Sequence, residues 1–244
     1  ETIRAINVDG TLNAFRAAAA AGAQRFVSAS SVAAYGFHPD NPETLTEEWP
    51  VRPAAHLFYA QEKAEIEARL EDDAAAHPDL GLYLLRPPIV LGPHALGAKG
   101  FLPGPLAPLA HHVGAGLRRT RLPLPVPAPA LPVQFVHEDD VGQAFMLCVV
   151  GAGPPGAYNI TGEGVLTGAD VAREAGLLPL PAPRRLVQAG ARALAGLPFA
   201  PPQAGWAEAV SRPVIMDSAK ARRELGWTPR YSSLGALRET LRRT

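Results

Sequence analysis

This sequence has little with which to cross-link itself or to hold a charged polymer. Its 244 residues include one cysteine, Cys148, so no internal disulfide can form. That cysteine sits in the apolar run Ala144-Phe145-Met146-Leu147-Cys148-Val149-Val150, which reads as a buried, inert thiol rather than a nucleophile. Lysine plus arginine equals aspartate plus glutamate, 23 of each, so no charge imbalance points to nucleic acid or an acidic membrane. No apolar run approaches the ~20 residues that span a bilayer, and none of these residues reads as a signal peptide. The expectation is a cytoplasmic protein with no membrane and no nucleic-acid partner. A Gly-x-x-Gly-x-x-Gly turn opening a helix is also missing from the sequence, so no phosphate cradle of that kind is seen.

What is present alternates between helical and extended patterns. Residues 3–21 place Ile6, Leu12, Phe15 and an alanine run at helical spacing, ahead of a stop at Gly22. Residues 25–30 form a short strand ending in small residues, and a polar loop over 38–53 leads into a helix from Tyr59 to about Ala75. Leu82-Tyr83-Leu84-Leu85 reads as a buried parallel strand. This alternation predicts an α/β fold with a parallel sheet. Beyond Gly92 the elements shorten. The pattern predicts strands near 134–136, 158–160 and 214–216, and helices over 140–150, from about Thr167, over 182–195, 219–225 and 233–242. The proline-rich stretch 121–132 reads as an irregular crossing.

The chemistry concentrates at Tyr59-Ala-Gln-Glu-Lys63 and Ser30-Ser31. A tyrosine and a lysine four residues apart project from one face of a helix. A phenol with an ordinary pKa near ~10 is a poor base at neutral pH, and a neighbouring ammonium lowers that value. The pair can therefore act as a tunable acid/base, with a serine hydroxyl to hold an oxygen on which charge develops. An ordinary surface pairing has the same spacing.

Six blocks in order set these residues in context: Asn7-Val8-Asp9-Gly10-Thr11-Leu12-Asn13, Arg25 to Gly36, Tyr59-x-x-x-Lys63, Leu85-Arg86-Pro87-Pro88-Ile89-Val90-Leu91-Gly92-Pro93, Phe135-Val136-His137-Glu138-Asp139-Asp140-Val141, and Asp217 to Pro229. Together they resemble the extended short-chain dehydrogenase/reductase superfamily, in its NAD-dependent epimerase/dehydratase branch. The resemblance implies a partial Rossmann-like parallel sheet lacking its first strands, with a small C-terminal α+β substrate lobe. Residues 1–95 would be the C-terminal part of a dinucleotide-binding domain, with sheet contributions near 132–160, and 96–244 mainly the lobe.

The resemblance makes Tyr59 the acid/base, Lys63 the group that lowers its pKa and binds the nicotinamide ribose, and Ser31 the catalytic hydroxyl. Ser30 is the second candidate for that hydroxyl. Ser30, Tyr59, Lys63, Pro87 and Pro88 would touch the cofactor, NAD or NADP. Ser31, Arg119 and Arg212 are candidate contacts to a small-molecule substrate, and a homodimer is a possible assembly. No metal site is expected. Arg118, Arg119 and Arg121 fit a solvated loop as well as a pyrophosphate site. Asn7 reads either as a family polar group or as a helix-packing one. His137 reads as packed at a strand end, the run Glu138-Asp139-Asp140 as capping the next helix, and Trp227 as an anchor in the small lobe.

The implied activity is NAD(P)-dependent epimerase or dehydratase chemistry on a secondary alcohol or ketone, with a nucleotide-sugar as first choice of substrate. A reductase of a non-sugar carbonyl and a non-catalytic fragment are the alternatives. Sugar-nucleotide epimerases often carry an arginine two residues before the aromatic of the Phe-Val-His segment, where this chain has Val133. Family members also begin with a strand, a glycine turn and a helix. Their absence here leads to the expectation of a fragment with an apolar sheet edge.

Overall fold

A computed structural model of the chain describes residues 3–55, 57–95, 123–128, 130–183, 189 and 212–242. They divide into two compact units that interleave along the sequence. The first comprises Glu1–Pro88, Asp139–Thr161 and Met216–Arg230; the second comprises Ile89–Glu138, Gly162–Ile215 and Tyr231–Thr244.

The first unit is built on a parallel sheet of β1 (Arg25–Ala29), β2 (Gly81–Arg86) and β7 (Gly156–Asn159), in the order β1-β2-β7. The first helix has a π-helical stretch at Ala5–Asp9 that leads into α1 (Gly10–Ala20). There the Gly10 amide reaches back to the Ala5 carbonyl. Helix α2 (Phe58–Ala75) carries Tyr59 and Lys63. Side chains alternate along β2, so Leu82 and Leu84 pack with Val8, Leu12, Phe15, Ile66 and Leu70 of the two helices. The ring of Tyr83 stacks instead on Tyr158 of β7, with ring centres 6.5 Å apart. Burying each of the larger apolar side chains contributes about 1.5–3 kcal/mol. That burial seats α1 and α2 against the sheet.

The same unit holds α3 (Glu138–Val150), whose first residue belongs to the second unit, and α5 (Ala219–Leu225). Helix α5 ends at Gly226 with φ +66°, a left-handed position that glycine adopts without strain. The expected strand near 214–216 is reduced to one parallel bridge between Leu45 and Met216. Pro213 lacks an amide donor, and the facing segment offers only one paired residue. Strand β1 stands at the edge of the sheet. Along it Phe26 and Val27 are half-buried and Ser28 is buried.

In the second unit β3 (Ile89–Leu91) pairs in parallel with β6 (Phe135–His137), and β5 (Pro132–Val133) pairs antiparallel with β8 (Leu166–Thr167). Leu91 and Phe135 pack with Ala236 and Leu237 of α6 (Ser233–Arg242). Helix α4 (Gly168–Glu174) opens on a capping box between Thr167 and Asp170. The proline-rich stretch is more regular than its sequence suggests. Residues Pro125–Ala128 form β4, paired in parallel with β9 (Leu178–Pro181). The prolines alternate with residues that keep their amides, and the Leu178 amide donates to Leu124, so the ladder avoids the missing donors. Most of the helix expected over 182–195 lies outside the described residues.

Candidate active site

Strand β1 pairs with β2 from Arg25–Gly81 to Ala29–Leu85, and the chain keeps following β2 beyond the strand. The Ser30 amide donates to the Leu85 carbonyl at 2.8 Å and the Val32 amide to Pro87 at 2.9 Å. Ser31 is held extended between them, and its Oγ accepts from the Ala33 amide at 3.2 Å to cap a 3-10 turn, Val32–Tyr35. Gly36 closes that turn with φ +74°, and a Cβ there would lie 2.0 Å from the Arg52 carbonyl oxygen. Only glycine fits such a position.

Tyr59 is the second residue of α2, and Lys63 follows one turn later. The Tyr59 hydroxyl is hydrogen-bonded to the Ser31 side chain. The Lys63 ammonium donates to the Ala29 carbonyl at 2.6 Å and lies 5.7 Å from the centre of the Tyr59 ring. Ser31, Tyr59 and Lys63 therefore converge at the carboxyl end of β1, where open α/β sheets bind ligands. Tyr59 as a whole remains 37% exposed.

Burial raises the Tyr59 phenol above its ordinary value, and the Ser31 hydrogen bond opposes this more weakly. Burial lowers the Lys63 ammonium, while the Glu62 and then the Glu67 carboxylates oppose that shift. In this arrangement Lys63 is engaged with Ala29, and the phenol is raised by burial instead of being lowered as the pairing with an ammonium predicts. The Ser30 Oγ is buried and unpartnered, as is one carboxylate oxygen of Glu62. The other Glu62 oxygen accepts from the Asn7 side-chain amide at 3.2 Å. Asn7 thus spends its side chain on joining the helix that carries Tyr59.

The unpartnered Ser30 hydroxyl, the phenol and the ammonium are the kind of donor set that ribose hydroxyls and a carboxamide need. The nicotinamide end of NAD or NADP therefore fits these residues. A pyrophosphate is usually received by a strand–turn–helix. The glycine-rich run Gly151-Ala152-Gly153-Pro154-Pro155-Gly156 has the opposite order, leaving helix α3 and entering strand β7. The Pro87 carbonyl holds the segment after Ser31, and Pro88 is half-buried beside it in sequence. Arg212 is half-buried in the second unit, and Arg119 lies outside the described residues.

Behind Ser31, Tyr59 and Lys63 lies a polar cluster with no motif of its own. Arg86 donates to both carboxylate oxygens of Glu67, at 2.9 and 2.5 Å, and to the Tyr35 hydroxyl at 2.9 Å. The Tyr35 hydroxyl donates to the Asn159 side-chain carbonyl at 2.8 Å. Asn159 in turn donates to the Leu45 carbonyl and, through its amide, to Glu47. A signal for Glu67 was available, since it stands four residues after Lys63 on the same helix.

Other expected roles are revised by the contacts. Asp140 also reaches beyond its own helix: its carboxylate accepts from the Arg230 amide at 2.8 Å, and its carbonyl accepts from the Trp227 indole at 2.9 Å. Trp227 is an anchor, fully buried, but it belongs to the sheet-bearing unit rather than to the small lobe. His137 is buried, stacked on Tyr231 at 3.9 Å between ring centres, and 3.5 Å from Glu239. Burial raises the Cys148 thiol to about 11, in keeping with an inert side chain. No group of His, Cys, Asp and Glu suited to a metal occurs among the described residues. No helix among them is long and apolar enough to cross a membrane.

The parallel sheet and its layered helices define a Rossmann-type α/β protein. Residues 1–161 match the NAD dependent epimerase/dehydratase family, and the chain belongs to that family. An uncharacterized protein of Mycobacterium tuberculosis is 25% identical over 242 residues, which cover 98% of this chain and 60% of the relative. The chain thus spans about 60% of the length of that curated relative. The UDP-glucose 4-epimerase of Thermus thermophilus, solved with NAD, is 25% identical with a TM-score of 0.64, covering 98% of this chain and 69% of its own. RMD from Pseudomonas aeruginosa, solved with NADPH, shares the fold at 18% identity, with a TM-score of 0.70 over 98% of this chain and 73% of that one.

Proposed function

We propose that Ser31, Tyr59 and Lys63 form the proton-handling part of an NAD(P)-dependent site acting on a secondary alcohol or its ketone, in the manner of an epimerase or dehydratase. The observation that carries this reading is the meeting of the three side chains at the carboxyl end of β1. The Ser31 hydroxyl holds the substrate oxygen and Tyr59 takes or returns its proton. Lys63 exchanges its Ala29 contact for one that also reaches the ribose, and its charge then favours the phenolate. Bound NAD(P) supplies the hydride acceptor or donor. A nucleotide-sugar is the first choice of substrate, as in the Thermus thermophilus relative, which is a UDP-glucose 4-epimerase.

A reductase acting on a non-sugar carbonyl is the second reading, favoured by one observation. Val133 pairs with Leu166 and packs against the apolar core of the second unit, so that position offers no cation to an anionic substrate. The two readings separate when the protein is supplied with NAD or NADP and UDP-glucose, or with NADPH and a panel of ketones. An epimerase converts the sugar with no net change in nicotinamide absorbance, whereas a reductase consumes NADPH in step with product. Wild-type levels of turnover in a Tyr59→Phe variant with either substrate set would overturn both readings. Equilibrium dialysis showing no binding of NAD or NADP favours instead a chain that keeps the scaffold without the chemistry.

A further inference from the structure

We infer that the buried Glu67–Arg86 pair, with Tyr35 and Asn159, is a positioning set that fixes the seat of α2 against the ends of β1 and β2 and so holds Tyr59 on Ser31. The inference rests on the proton-handling role proposed for those two residues. Its members come from the segments that build the site. Glu67 lies on α2, one turn beyond Lys63, and Arg86 is the last residue of β2, directly before Pro87. Tyr35 ends the 3-10 turn that Ser31 caps, and Asn159 ends β7.

The geometry favours fixing over simple stability. The pair is bidentate, and the two side chains are only 4% and 2% exposed. A planar guanidinium held by both carboxylate oxygens fixes direction as well as distance. The third contact, to the Tyr35 hydroxyl, leaves no freedom to slide along α2. A buried ion pair contributes little net stability compared with a neutral pair of similar shape, while removing one partner alone is severe. A set that costs desolvation and joins two strand ends and the end of the 3-10 turn to one helix is therefore better explained by the register it imposes. Glu67 is also one of the two carboxylates whose charge favours the Lys63 ammonium, so the set reaches both members of the Tyr-x-x-x-Lys pair.

The test replaces both charges together, Glu67→Gln with Arg86→Gln, leaving no lone buried charge. Tyr59 ionisation is read as the tyrosinate absorbance difference between each protein and the same protein carrying Tyr59→Phe, which removes the signal of the other four tyrosines. Burial is the larger influence on the phenol and Ser31 the smaller. A loosened α2 therefore lowers the midpoint, towards the ordinary value near ~10. Turnover, where measured, falls about tenfold in kcat with KM nearly unchanged, because geometry is lost rather than binding. A folded double variant with the wild-type Tyr59 midpoint overturns the inference. Should the double variant fail to fold, Tyr35→Phe serves the same comparison: a lowered midpoint supports the inference and an unchanged one overturns it. The titration needs no substrate, so a wild-type protein that turns nothing over defeats the proposed function without deciding this point.

Discussion

The Lys63 ammonium donates to the Ala29 carbonyl at 2.6 Å, tying the second turn of α2 to the last residue of β1. The contact sets Lys63 beside Tyr59, with the ammonium 5.7 Å from the ring centre. Lys63→Met is expected to weaken NAD or NADP binding, measured by equilibrium dialysis. It also lowers turnover by about 100-fold, within the range for losing support to a general acid/base. Circular dichroism stays native, because water can satisfy Ala29, which is exposed.

Tyr59 gives a pH dependence of stability with a definite sign. Burial raises its folded pKa above the unfolded value, so the stability it contributes is fully present below about pH 10 and is lost as pH rises through the folded value. In urea titrations at rising alkaline pH, the wild type therefore loses stability relative to Tyr59→Phe. Equal alkaline slopes for the two proteins would contradict this. At neutral pH the same variant loses at least about 100-fold in turnover.

Phe15 and Leu70 are fully buried in the core between α1, α2 and the sheet. Leu70→Ala leaves a cavity and is expected to cost about 2–5 kcal/mol in denaturant unfolding. Ion pairs across the outer surfaces of the same helices, such as Arg16–Asp73 at 2.8 Å, contribute about 0–1 kcal/mol. Arg16→Ala thus shifts the midpoint far less than Leu70→Ala.

Gly36→Ala tests the turn behind Ser31. The left-handed backbone and the approach of the Arg52 carbonyl leave no room for a methyl group. The variant is expected to lose about 1–3 kcal/mol. It also loses turnover, because the turn that Ser31 caps has to move.

Cys148 is buried, with its thiol raised to about 11. Ellman's reagent at pH 8 is expected to leave it unmodified over minutes in the native protein and to titrate one thiol in denaturant. Rapid native labelling would show that α3 opens readily.

Much of this organisation is carried by local pattern. The spacing of Leu12, Phe15, Ile66 and Leu70 selects one face of each helix, and the run Leu82–Leu85 selects a buried strand. The four-residue step from Tyr59 to Lys63 puts both on one side of α2 before any contact forms. Where an expected helix forms among the described residues, its boundaries follow within about two residues, because caps and stops such as Thr167 and Gly226 act on their immediate neighbours.

The tertiary structure decided which polar groups meet. Arg86 finds Glu67 across 19 residues, and Tyr35 finds Asn159 across 124. Such pairings depend on which strands become neighbours, and no periodicity records that. Asp140 shows the same limit: its position suggests a cap and gives no sign of Arg230 and Trp227, which chain folding brings to it. The sequence by itself determined the elements and the face bearing Tyr59 and Lys63, since those depend on backbone geometry and side-chain period. Only the folded chain decided that burial raises the phenol, that Lys63 rests on Ala29, and that a buried ion pair stands behind both. Burial and long-range pairing are properties of the packed chain.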